Sequence, residues 1–216
     1  MEPLRYDPPA APLVVLHHDR DLLVIDKPAG LLSVPGRDPA HHDSALTRAQ
    51  ALDARALAVH RLDLWTSGVL VFALRRKAEA HLRAQFAGRT VEKHYEALVW
   101  GCPAEAAGRI DLALAADTDR PPLQRVDAAG KPAITHWRVL DVGPVGARVA
   151  LRPETGRSHQ LRVHLAALGH PILGDPFYAH PAALAAAPRL CLHAVRIGLV
   201  HPFTGSPLVL AAPCPF

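Results

Sequence analysis

Apolar and polar positions cluster along this chain in patterns that predict its elements. In LVVLHHDRDLLVIDKP (13–28) two apolar runs flank the polar triplet Asp19-Arg20-Asp21, the pattern of two short strands joined by a turn. Pro28-Ala29-Gly30 then turns the chain into LLSVPGR. Residues 43–53, DSALTRAQALD, have helical composition behind Asp43 or Ser44 as a cap. ALAVH (56–60) reads as a strand, and GVLVFAL (68–74) is a continuous apolar run with β-branched residues, hence a buried strand. RRKAEAHLRAQFAGR (75–89) sets Ala78, Leu82, Gln85 and Phe86 at helical spacing and ends at Gly88, which predicts a surface helix whose arginines form a solvated face.

VEKHYEALVWG (91–101) is strand-like, whereas 102–130 has little pattern and much Pro, Gly and Asp, and is read as a hairpin or long loop. AITHWRVL and ARVALRP predict two further strands. ETGRSHQLRVHLAALGH (154–170) predicts a loop capped by Ser158 that enters an amphipathic helix, with Arg162 one turn in. RLCLHAVRIGLVHP and PLVLAAP form a closing hairpin around Phe203-Thr204-Gly205. No repeat or linker divides the chain, and the order lacks a regular βαβ alternation. The expected fold class is therefore α+β, a mixed and mostly antiparallel sheet with flanking helices in one domain over 1–216.

Composition narrows this little. The 216 residues, 50% of them apolar, are enough to bury one good core. Cys102, Cys191 and Cys214 are odd in number and far apart, which suggests neither a disulfide framework nor a zinc site and points to a reducing cytoplasm. The opening MEPLRYDPPAAP is polar and proline-rich, and no window approaches the roughly 18 apolar residues of a membrane span, so no membrane partner is expected. The net charge of +4 is mild. Arginine supplies most of the basic side chains, however, and its planar fork suits phosphates and bases, which favours a polyanionic partner.

The chemical candidates then reduce to a few. HRLD in HRLDLWTSG (60–68) differs from a kinase catalytic loop: the aspartate is displaced by one residue, no asparagine stands four residues after it, and GxGxxG is absent. The 14 histidines include His159 and His164, but these lie five apart, off a common helix face, without the glutamate of HExxH. No GxSxG elbow or phosphate-cradling glycine loop occurs. Asp63, on a loop between two core strands, is the best remaining nucleophile or base.

Three stretches, taken together, carry a family resemblance. HRLDLWTSG matches the HRLDxxTSG signature of the RluA family of pseudouridine synthases, LLVIDKPAGLLSVPGR resembles its first motif, and ETGRSHQLRVHLAALGHPILGD its third. With EKHYEALVWG between them, the resemblance covers nearly the whole chain in the family's order. SVPGR, the short N-terminus and the ending are similar to those members that modify both large-subunit ribosomal RNA and the transfer RNA anticodon stem-loop. Because the first motif begins within about the first twenty-five residues, no separate N-terminal RNA-binding domain is expected.

The resemblance implies an isomerase with a central RNA-binding cleft that needs no cofactor, no metal and no obligate protein partner. It breaks the bond from ribose C1′ to uracil N1, turns the base and joins C5 to C1′. Asp63 is implied as the catalytic carboxylate, attacking C1′ or the ring or abstracting a sugar proton. Arg162 is implied as its cationic partner. The target uridine must leave the stack, and Arg61 is implied as the residue that enters the vacated space, where a guanidinium substitutes for a base. Tyr95 is implied to pack on the flipped uracil. His60 is read as ordering the loop, and Thr66, Ser67 and Gly68 as making the turn that aims Asp63. Leu64-Trp65 fills the variable pair of the signature, and the bulk of Trp65 bears on target choice. A non-catalytic RNA-binding protein on the same fold is the alternative, but it would be expected to have lost Asp63 or Arg162. A metal-dependent hydrolase would need clustered carboxylates, and none cluster.

Overall fold

Apolar runs long enough to be covered on both faces become the central strands, and shorter or alternating runs become the outer ones. The computed structural model describes residues 6–216, so residues 1–5 of the polar opening stretch lie outside the described residues. In chain order the elements are β1 (Val14–His18), β2 (Leu22–Lys27), α1 (Ala45–Leu52), β3 (Leu57–Ala58), β4 (Ser67–Ala73), α2 (Arg76–Ala87) and β5 (Glu92–Trp100). Then come β6 (Ala107–Asp111), β7 (Leu114–Ala116), β8 (Gln124–Val126), β9 (Ile134–Val142), β10 (Gly146–Pro153), α3 (Gln160–Ala167), α4 (Pro181–Ala185), β11 (Leu192–Val200) and β12 (Pro207–Ala211). The α+β reading holds. The chain falls into two compact units, one of residues up to Val91 together with Ala194–Pro213, the other of Glu92–His193 with Cys214–Phe216.

In the first unit β1, β2, β4 and β11 are successive neighbours, with β12 on β11 and β3 on β4. The Asp19-Arg20-Asp21 turn joins β1 to β2 as expected: Asp19 Oδ1 accepts from the N–H groups of Asp21 and Leu22 at 2.7 and 2.8 Å. Register places Leu22 opposite Ala73 and Val24 opposite Val71. These side chains meet Ala78 and Leu82 of α2, Val91, and Ile197, Leu199 and Leu210 of the closing hairpin in one buried cluster. Each fully buried Leu or Val contributes about 1.5–3 kcal/mol. The cap of α1 is Ser44: its hydroxyl accepts from the Thr47 N–H, and the Ser44 N–H donates to Thr47 Oγ1 at 2.8 Å, a capping box. Asp43 is occupied elsewhere, in a two-bond pair with Arg48 at 2.7 and 2.6 Å.

In the second unit β5, β10, β9 and β6 form a run of antiparallel neighbours, and β7 pairs with β8 as a separate ribbon. Region 102–130 thus holds a hairpin, as expected, and also β6, whose pairing with β9 was not legible. Two details of α3 correct the sequence reading. Its cap is His159, with φ +53° and no side-chain cap bond, rather than Ser158. Nor is it amphipathic, because Gln160 through Leu165 are all buried.

Candidate active site

The loop between β3 and β4 carries Arg61 and Asp63, and burial varies along it: Arg61 exposed, Leu62 buried, Asp63 half-buried. The residues on either side of Asp63 are fixed by the first motif. Ser33 Oγ donates to the Leu62 carbonyl at 2.6 Å and accepts from the Leu62 N–H at 2.9 Å. The Leu64 carbonyl accepts from the Gly30 N–H at 2.9 Å and from Lys27 Nζ at 3.1 Å. Lys27 is fully buried, and its ammonium also donates to the carbonyls of Pro28 and Leu31 at 2.9 and 2.7 Å. A buried ammonium needs such partners to offset its lost hydration.

Two further contacts close the loop. The Val71 N–H donates to His60 Nε2 at 2.9 Å, so that nitrogen is an acceptor, and the imidazole stacks on Phe86 with ring centres 4.6 Å apart. The Thr66 N–H donates to the Asp63 carbonyl at 3.1 Å, so the turn is made at Leu64 and Trp65, and Ser67 and Gly68, expected in the turn, already belong to β4. Gly68, the second residue of β4, has φ +113°, and a Cβ there would lie 2.5 Å from the Ala194 nitrogen. Only glycine fits both conditions.

Tyr95 and Arg162 belong to the second unit. Tyr95 is half-buried on β5, opposite Leu151 of β10. Arg162, in the first turn of α3, is 1% exposed and makes two hydrogen bonds to Asp175, Nε to Oδ2 at 2.8 Å and Nη2 to Oδ1 at 2.6 Å. Its guanidinium carbon lies 5.1 Å from the ring centres of both Phe177 and Tyr178. Asp175 Oδ1 also accepts from the N–H groups of Phe177 and Tyr178 at 2.9 and 3.3 Å, which satisfies the carboxylate in a fully buried setting.

A relay of side chains seats α3. Gln160 Oε1 accepts from Thr155 Oγ1 at 2.7 Å and from the Arg157 N–H at 3.0 Å, and its Nε2 donates to the Ile134 carbonyl and to Thr135 Oγ1 at 2.9 and 3.0 Å. Asp175 and Gln160 were not singled out from sequence, although both fall inside the third motif. Among the described residues no group of three or more His, Cys, Asp or Glu is arranged to hold a metal, and no helix is long and apolar enough to cross a membrane.

Residues 21–167 match the family model described as RNA pseudouridylate synthase. The chain is 51% identical over 214 residues, 98% of each sequence, to the dual-specificity RNA pseudouridine synthase RluA of Salmonella typhi. It is 46% identical over 216 residues, 99% of each, to RluA of Haemophilus influenzae. Among solved structures, human RNA pseudouridylate synthase domain containing 1 is similar with a TM-score of 0.80 at 30% identity, covering 100% of this chain and 87% of that one. The aspartate loop and its motifs therefore sit in a chain that belongs to the RNA pseudouridylate synthase family and is an isomerase acting on RNA.

Proposed function

We propose that this enzyme converts uridine to pseudouridine in both ribosomal and transfer RNA, with Asp63 as the catalytic carboxylate, Arg61 and Tyr95 as residues that meet the substrate, and the buried Arg162 as a fixed positive charge that serves substrate binding without being exposed to it. The observation that carries this reading is the fixation of Leu62 and Leu64, which leaves Asp63 half-buried between two immobilised peptides. A carboxylate that must meet one carbon of a flipped nucleotide gains rate from such fixing. The exposed Arg61 side chain is suited to enter a stack of bases. Dual specificity is drawn from the name of the Salmonella typhi relative. Cytoplasmic location is part of the same proposal, supported by an RNA substrate and by three free cysteines.

The reaction is an isomerisation. The C1′–N1 bond breaks, the uracil rotates, C5 bonds to C1′, and the C5 proton leaves to solvent while N1 gains one. Release of tritium from C5-labelled uridine reports it directly. Asp63→Asn keeps the shape and removes the charge, so it is expected to fold, to bind RNA stem-loops and to release no detectable tritium. A well-folded Asp63→Asn protein that still released tritium would overturn the assignment. Mapping pseudouridines in total RNA from a deletion strain and its parent tests dual specificity, which requires losses in both RNA classes.

A further inference from the structure

Ser33 opens the SVPGR stretch, to which the chemistry above gives no task. Its side chain is 4% exposed, and its hydroxyl bonds twice to a single residue 29 positions away, accepting from the Leu62 N–H and donating to the Leu62 carbonyl. One hydroxyl has a proton to give and lone pairs to accept with, so both bonds form at once. They repeat the exchange made by two directly paired strand residues. Leu62 is 7% exposed, and a backbone group left without its partner in such a buried residue is costly. The two peptides that flank the Leu62 Cα are therefore each held by one bond, and the one leading into Asp63 cannot rotate without breaking the bond to its carbonyl.

We propose that Ser33 is a positioning residue for the isomerisation: by clamping both backbone groups of Leu62 it fixes the direction in which the Asp63 carboxylate is presented. This rests on the reading of Asp63 as the catalytic carboxylate. Leu64 is fixed independently by Gly30 and Lys27, so loss of the Ser33 clamp frees one side of Asp63 and leaves the other attached. A carboxylate presented with more freedom reacts more slowly once RNA is bound, while the surface that grips RNA is unchanged.

The test compares Ser33→Ala, Ser33→Thr, Ser33→Cys and Asp63→Asn by tritium release in single turnovers with saturating enzyme, by RNA affinity and by thermal melting. Ser33→Ala should bind RNA within about threefold of the parent and lose roughly 10- to 100-fold in saturated rate, the scale of a slightly misplaced reacting group. Ser33→Thr keeps the hydroxyl and should recover most of that rate. A folded Ser33→Ala with the parental saturated rate, or a loss confined to RNA affinity, overturns the proposal. If the alanine variant does not fold, Ser33→Cys decides: its weak donor predicts an intermediate rate, and a parental rate overturns the clamp. Tritium release by Asp63→Asn would sink the catalytic assignment itself, whereas an inactive Asp63→Asn beside a fully active Ser33→Ala would sink only the clamp.

Discussion

Arg162 and Asp175 form a two-bond ion pair that is almost wholly withdrawn from solvent, with side-chain exposures of 1% and 0%. Desolvating two charges is costly, and the pair persists because the carboxylate also collects two backbone N–H bonds while the guanidinium is flanked by the rings of Phe177 and Tyr178. Removing one partner leaves the other charge in a dry site. Asp175→Asn is therefore expected to cost about 3–5 kcal/mol, lowering the melting temperature on the order of 10 °C for a chain of this size. Urea unfolding of the variant checks this, and a loss below about 1 kcal/mol would contradict the buried-pair account.

Gly68 carries a similar structural burden at the start of β4, just after the aspartate loop. Gly68→Ala must place a Cβ 2.5 Å from the Ala194 nitrogen at φ +113°, so steric overlap adds to backbone strain. A loss of about 3–5 kcal/mol is expected, read by the same unfolding measurement. An alanine variant as stable as the parent would mean that β4 and β11 can separate there at little cost.

What was legible in the sequence followed from periodicity. GVLVFAL became β4 because every residue of Ser67–Ala73 is buried, and Ala78 and Leu82 face the core because the helical repeat puts them there. The α3 helix was misjudged because burial on all sides comes from what packs around it, which the repeat within eight residues does not encode. Its left-handed His159 cap lacks the serine or aspartate signal that sequence reading relies on. β6 was hidden in a Pro- and Gly-rich region because its identity depends on a partner strand, β9, more than twenty residues away. In the loop that carries Asp63, the motif drew attention to the aspartate, but the anchors of its neighbours, Ser33, Gly30 and Lys27, lie about thirty residues earlier, and only the folded chain pairs them.

Arg61 offers a test of base extrusion. If its guanidinium fills the space left by the flipped uridine, Arg61→Ala should weaken binding to an intact stem-loop more than binding to an RNA whose target nucleotide is already unstacked. Only the first RNA must offset the cost of opening, a few kcal/mol, so a difference of roughly tenfold or more in Kd ratio is expected at one salt concentration. Equal losses on both RNAs would make Arg61 a phosphate contact.

The last expectation concerns pH. His164 is fully buried; its Nε2 donates to the Leu112 carbonyl at 3.0 Å, so Nδ1 accepts from Thr135 Oγ1 at 2.9 Å when the ring is neutral. Burial pushes its pKa below the ordinary 6.5, and the Leu112 bond, which works the other way, does not compensate. The unfolded chain therefore takes up a proton at a higher pH than the folded one. The stability due to the neutral ring is complete above the unfolded value of 6.5 and is lost as pH falls from there toward the depressed folded value. Urea unfolding across that interval should show stability falling with pH in the parent, and a shallower fall in His164→Gln, which cannot titrate. Identical slopes for the two proteins would mean that His164 accepts its proton without strain in the folded state.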